Sequence, residues 1–180
     1  PVAAYLAATV ALVNLDSYLG MGHNFYLYEV DGVFAVIPWD LNEAYGNFRC
    51  RCSNDELLAL RIDEPTCGGL AGYPLVQRFV SDETRRDRYH QHLQGILDGP
   101  LAESAFNADV DRWADLIRAT VQTDERLFFD VQQFEDAVSQ TRLGQGGQQA
   151  MPLKAFRSGR SQHLAAQLSN QEPRTADGSG

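Results

Sequence analysis

A mostly helical α+β domain is what this 180-residue sequence predicts, and three observations carry that reading. One β-hairpin signature stands alone at residues 25–38. Apolar stripes at helical spacing follow one another from Pro74 onward. Between them lies a stretch, residues 47–72, that holds Cys50, Cys52, Cys67 and Gly68-Gly69 and keeps no period. The length suits one domain, able to bury roughly 70% of its unfolded surface. A hydrophobic content of 44% and a charged content of 22% are those of a globular chain rather than a disordered one. A net charge of −9 with no dense basic cluster argues against nucleic-acid binding. No stretch is long and apolar enough to span a membrane.

Taken in order, residues 2–19 form an alanine-rich apolar run, expected to be a buried helix that stops near Gly20-Met21-Gly22. Its first part, Val2 to Val13, resembles the apolar core of a signal peptide but lacks a basic start. Next comes the hairpin. Asp31-Gly32 between two β-rich runs is a strong two-residue turn signal, because glycine accepts the positive φ of a type I′ turn. That loop pairs Val30 with Val33, Tyr28 with Ala35, Tyr26 with Ile37 and Asn24 with Trp39, and it sets His23 opposite Asp40. Pro38 cannot donate to the ladder, so regular pairing is expected to end there and to free Asp40 from strict alternation.

Beyond residues 47–72, which could cover a cleft mouth, Leu75, Val76, Phe79 and Val80 make one helical stripe. Ser81-Asp82 interrupts it with an N-cap signal. The following helix turns Tyr89, Leu93, Ile96 and Leu97 inward and ends at Asp98-Gly99-Pro100. A third places Phe106, Val110, Trp113, Leu116 and Ile117 in the core, and a fourth Val131, Phe134 and Val138. Gly144 to Gln149 reads as a flexible connector, without the Lys-Ser/Thr ending of a phosphate-binding loop. A last helix starts at Pro152 and presents Leu153, Phe156, Leu164 and Leu168. The domain is expected to span residues 1–168, with residues 169–180 a disordered tail.

Several oxygen-bearing side chains gather near the open end of the hairpin: Asp16, Asn24, Asp40 and Asn42. Carboxylate and amide oxygens suit Mg²⁺, and phosphoryl transfer asks for little beyond metal ligands and a carboxylate near the attacking hydroxyl. Asn and Asp are also common at strand ends because they favour turns, so the cluster, more than any one member, points to chemistry. His23 adjoins this group and is read as shaping the loop. Arg157 and Arg160, three apart on the last helix, could both face a cleft and meet phosphate. Arg85, Arg86 and Arg88 read as a solvated helix face. For the cysteines, a disulfide from Cys67 to Cys50 or Cys52, three free thiols, and a metal site completed by a histidine all stay open.

The runs Asn14-Leu15-Asp16-Ser17-Tyr18, His23-Asn24-Phe25-Tyr26-Leu27-Tyr28 and Ile37-Pro38-Trp39-Asp40-Leu41-Asn42, followed by Gly46, resemble the signature of the CotH kinase family. These are atypical kinases similar to spore-coat protein H. A weaker likeness continues through Tyr73 to Val80, Arg88-Tyr89, and Leu153 to Arg157 with Arg160. The resemblance implies a protein-kinase-like C-lobe, with the hairpin next to the catalytic loop. It implies transfer of the γ-phosphate of ATP, with Mg²⁺ or Mn²⁺, to serines of a coat, secreted or surface protein. The acceptor is then a protein with a serine-rich segment, and the location extracellular or at a cell or spore surface, with the cytoplasm as the alternative. Asp16 matches the catalytic aspartate, Asp40 the metal-binding aspartate, and Asn24 the asparagine that holds a second metal. At position 42 the family usually has Asp, and Asn42 lacks that charge. Only fifteen residues precede Asp16, which leaves no room for a Gly-rich loop and strand lysine, and Lys154 is the only lysine. The expectation is therefore a C-terminal portion of a longer protein, with the N-lobe absent. A non-catalytic pseudokinase or surface-binding module is the competing expectation.

Overall fold

The computed structural model of the chain describes residues 2–140 and 150–169. Seven α-helices and one two-stranded antiparallel sheet are found among them, the α+β, mostly helical class expected. The connector at 144–149 lies outside the described residues. So does the expected tail from residue 170 onward; Ser169 itself closes the last helix.

The first helix, α1 (Val2–Ala11), is apolar on every side and is enclosed accordingly: Leu6, Ala7, Val10 and Ala11 are buried. It ends at Ala11, well short of residue 19. Tertiary contacts override the helical propensity of the sequence here. The Leu12 carbonyl accepts from the Tyr45 N–H at 2.8 Å, the Asn14 N–H reaches back to the Thr9 carbonyl at 2.9 Å, and Val13 takes φ 48°. Residues 12–24 are therefore a loop, and Asp16 sits in it.

The hairpin pairs β1 (Phe25–Val30) with β2 (Val33–Pro38) in the expected register, Val30 opposite Val33 and Tyr26 opposite Ile37. Asp31 and Gly32 have φ of 51° and 78°, both positive as a type I′ turn requires. β2 touches α1, yet most large side chains on both strands remain exposed.

After the hairpin, a 3₁₀ turn (Leu41–Glu43) leads to a short helix, α2 (Asn54–Leu58), in a region expected to be irregular. Its signal was present: Ser53 and Glu56 form a reciprocal capping box, and that spacing is legible in sequence. The helical body follows as α3 (Pro74–Val80), α4 (Glu83–Asp98), α5 (Glu103–Thr123), α6 (Val131–Ser139) and α7 (Leu153–Ser169). Asp82 caps α4, as expected, by accepting from the Arg85 N–H. The expected core stripe of α5 needs correction. Phe106, Val110 and Ala114 face inward, whereas Trp113, Leu116 and Ile117 are exposed, because α6 and α7 pack on the other side of that helix.

Arg160 fastens the body. It is fully buried on α7, in line with Phe156 and Leu164. Its guanidinium donates to the carbonyls of Leu58 (2.9 Å), Leu60 (2.7 Å) and Val10 (3.0 Å), joining α7 to the ends of α2 and α1. Burial lowers its pKa from the usual arginine value to about 10, so it stays protonated at neutral pH.

Candidate functional site at the foot of the hairpin

Two residues in left-handed backbone stand at the two feet of the hairpin, Asn24 with φ 57° and Asp40 with φ 54°. The ladder runs one pair beyond Pro38, since the Trp39 N–H donates to the Asn24 carbonyl at 3.0 Å. Asp40 therefore follows the last paired residue directly. What releases it from alternation is its own left-handed turn, not the proline. Asn and Asp tolerate this region because a short polar side chain reduces the steric cost. That gives both residues a backbone reason for their identity, so their side chains have to be considered separately.

The Asn24 side chain turns to Asp16. Its Nδ2 donates to the Asp16 carboxylate at 3.0 Å and to the Asp16 carbonyl at 2.9 Å. His23 Nε2 lies 3.5 Å from the other carboxylate oxygen, so the imidazole flanks the loop it was expected to shape. The Asp16 side chain retains 17% exposure: held, yet reachable. Within the cluster expected at the open end of the hairpin, the direct link formed is between Asn24 and Asp16. Because only Nδ2 is engaged, the Asn24 Oδ1 has no protein partner among the described residues.

Asp40 precedes the 3₁₀ turn, where an aspartate would ordinarily cap, but its side chain makes no cap hydrogen bond. It is exposed and unpaired among the described residues. Asn42, also exposed, touches the Glu43 carboxylate at 3.4 Å through Nδ2, and its carbonyl accepts from Asn47 at 3.3 Å. The first 48 residues contain no Lys or Arg at all, while Asp16, Glu29, Asp31, Asp40 and Glu43 are acidic. The hairpin and its feet are thus an anionic region with open oxygen ligands.

Both arginines expected at a cleft are engaged elsewhere, which corrects that expectation. Arg160 is sealed in the core as described. Arg157 pairs with Glu103 at 3.2 Å, its side chain 11% exposed. Lys154 pairs with Asp111. Helical spacing aligned the two arginines correctly, but the face they share is the packed one.

The donor chemistry fits a hard divalent cation: the Asp16 and Asp40 carboxylates and the amide oxygens of Asn24 and Asn42 are all oxygen ligands. Among the described residues no three His, Cys, Asp or Glu side chains come together as a metal site. A cation here would accordingly draw on amide oxygens and water beside the carboxylates, which is the habit of Mg²⁺.

A family model described as CotH kinase protein matches residues 2–142, more than three quarters of the chain. The chain belongs to the CotH kinase family. Neither a curated protein nor a solved structure matches it. The match spans α1, the Asp16 loop, the hairpin, Asp40 and the helices through α6, so the whole candidate site of this CotH-family chain lies within it.

Sequence reasoning missed the residues that hold the Asp16 loop from outside. The Tyr73 hydroxyl donates to the Gly20 carbonyl at 2.7 Å, and the Leu75 N–H donates to the Tyr18 hydroxyl at 3.1 Å. The Tyr18 ring meets Tyr73 and Phe25 edge-on, at 6.0 and 5.6 Å. Of the alternatives left open for the cysteines, the first holds: Cys50 and Cys67 form a disulfide, and Cys52 is free.

Proposed function

We propose that the foot of the hairpin is a phosphoryl-transfer site of the protein-kinase type, and that the chain corresponds to a kinase-like C-lobe. The observation that carries this reading is the Asp16–Asn24 pair beside an unpaired Asp40, within the stretch matched by the family. The order of helix, aspartate loop, hairpin and second aspartate supports it further. In the proposed mechanism Asp16 accepts a hydrogen bond from the acceptor hydroxyl and takes its proton as the phosphoryl group moves. Asn24 and His23 keep its carboxylate in one orientation. Asp40, with the free oxygens of Asn24 and Asn42, would hold Mg²⁺ or Mn²⁺; the cation neutralises the ATP phosphates when bound. In so anionic a region that neutralisation is a condition for nucleotide binding, since attraction from Lys or Arg of residues 1–48 is unavailable. The proposed acceptor is serine in a serine-rich segment of a coat, secreted or surface protein. The Cys50–Cys67 disulfide supports an oxidising, extracytoplasmic location.

The test is transfer of label from γ-labelled ATP to a serine-rich acceptor with Mg²⁺. Asp16→Ala and Asp40→Ala should each lower it by about 100-fold or more. Transfer that survives both substitutions would refute the assignment.

A second reading, a pseudokinase or non-catalytic surface module, draws on a specific set of observations. Asn42 stands where the family usually has Asp, and Lys154, Arg157 and Arg160 all have partners remote from the hairpin in sequence or in the core. It predicts a nucleotide-induced rise in melting temperature without transfer.

A further inference from the structure

The Cys50–Cys67 disulfide has a place in the fold that loop closure alone does not explain. Cys67 lies against the loop that carries Asp16: its N–H donates to the Leu19 carbonyl at 3.3 Å. A Cβ built on Gly20 would stand 2.6 Å from the Cys67 sulfur and 2.0 Å from the Leu15 carbonyl oxygen. Only a residue without a side chain lets the Asp16 loop and the disulfide approach so closely. At its other end, Cys50 belongs to the segment that continues from Asp40, and that segment is itself tied to the start of the loop through Tyr45 N–H and the Leu12 carbonyl. Cys50 and the next residue, Arg51, both have positive φ, 45° and 70°. Two non-glycine residues in that region persist only where the surroundings hold them there.

We propose that the Cys50–Cys67 disulfide is a positioning brace that fixes the Asp16 loop relative to the segment leading from Asp40. Leu19, Gly20 and Cys67 form the contact through which it acts. For its catalytic consequence the inference rests on the kinase reading; its structural half stands without it. Cys67 is exposed, so the bond is open to a dithiol reductant. Each disulfide would take up two electrons and two protons to give two thiols, while the dithiol closes to its own cyclic disulfide. Opening the brace leaves both aspartates in the chain but lets the Asp16 loop wander, and a misplacement of about 1 Å is enough to cost orders of magnitude in rate.

The experiment compares the oxidised chain, the chain reduced by dithiothreitol, and the Cys50→Ser/Cys67→Ser double variant, with Cys52→Ser as the control that retains the disulfide. Amide exchange and circular dichroism are read first, without ATP. The expected result is native dichroism with exchange at residues 15–22 faster by about tenfold, while α4 and α5 are unchanged. Label transfer should then fall about tenfold or more in kcat with little change in KM for ATP, and reoxidation should restore it. Unchanged exchange at 15–22 in the opened protein would overturn the proposal. So would faster exchange throughout the chain, which would make the bond a staple of the whole fold. Should no state transfer label, the kinase reading fails and the exchange data still decide the brace.

Discussion

The helical body and the hairpin of this chain are built on opposite terms. Leu6 in α1 is 2% exposed and Leu27 in β1 is 60% exposed. Around Leu6 stand α4 and the wall of Val76, Val80 and Tyr89. Around Leu27 stands solvent, along with Tyr26, Tyr28, Val33 and Phe34, all about half exposed. A two-stranded hairpin is marginal by itself, so this one takes its conformation from its ends: the type I′ turn, the left-handed feet at Asn24 and Asp40, and the bond from Asn24 to Asp16. Stability resides in the body, whereas Asn24, Asp40 and Asn42 stand at the feet of a projection that contributes little to it, and Asp16 lies between the two in a loop anchored by the buried Leu15 and Leu19. Loss of function and loss of fold should therefore be separable in this molecule.

The sharpest way to break that contrast is Arg160→Ala. Three carbonyls, of which those of Val10 and Leu58 lie at buried bonds, would lose a charged donor, with an expected loss of more than about 3 kcal/mol in denaturant unfolding. A neutral result would mean that the guanidinium is not the fastener described. Next comes a matched pair. Leu6→Ala should cost about 2–5 kcal/mol and Leu27→Ala less than about 0.5 kcal/mol, measured by the same unfolding curves. Similar losses at both positions would show that the hairpin is packed in solution.

How much of this was legible beforehand follows the same division. The hairpin register was readable to the residue because Asp31-Gly32 fixes the turn, and a turn fixes every pair above it. Asp16, Asn24 and Asp40 stood out for their residue types and their place at its open end. The end of α1 was not readable, since nothing local in Leu12-Val13 announces that Tyr45 will capture the Leu12 carbonyl. Arg160 could have been found: it falls four residues from both Phe156 and Leu164, on the apolar stripe, and a charged residue in a core stripe signals a buried donor. Its charge points to a cleft, whereas its position points to the core. For α5 the apolar period was correct, but a period does not say which of two apolar flanks meets a neighbour, and Trp113, Leu116 and Ile117 were left outside.

Smaller effects sharpen the comparison further. Reduction of the disulfide, whose cysteines lie 17 residues apart, should cost global stability less than about 0.5 kcal/mol, well short of the roughly 3 kcal/mol of the chain-entropy account, because its effect is confined to the Asp16 loop. The smallest effect belongs to the capping box of α2. The Ser53 backbone N–H and hydroxyl hold the Glu56 carboxyl below its ordinary pKa. Its contribution is therefore complete above the ordinary carboxylate range and is lost as pH falls through the lowered value. Melting curves of the parent and Glu56→Gln should differ slightly and constantly above about pH 5 and converge on acidification. A gap that widened in acid would contradict the cap.

The most direct test of the central idea is paramagnetic. Mn²⁺ with ATP, titrated into isotopically labelled protein, should broaden the amide signals of Asp16, Asn24 and Asp40 before those of any other acidic site, and Asp40→Ala should abolish the effect. Broadening spread evenly over the acidic surface, or unchanged by that substitution, would mean that the feet of the hairpin do not hold a cation–nucleotide pair.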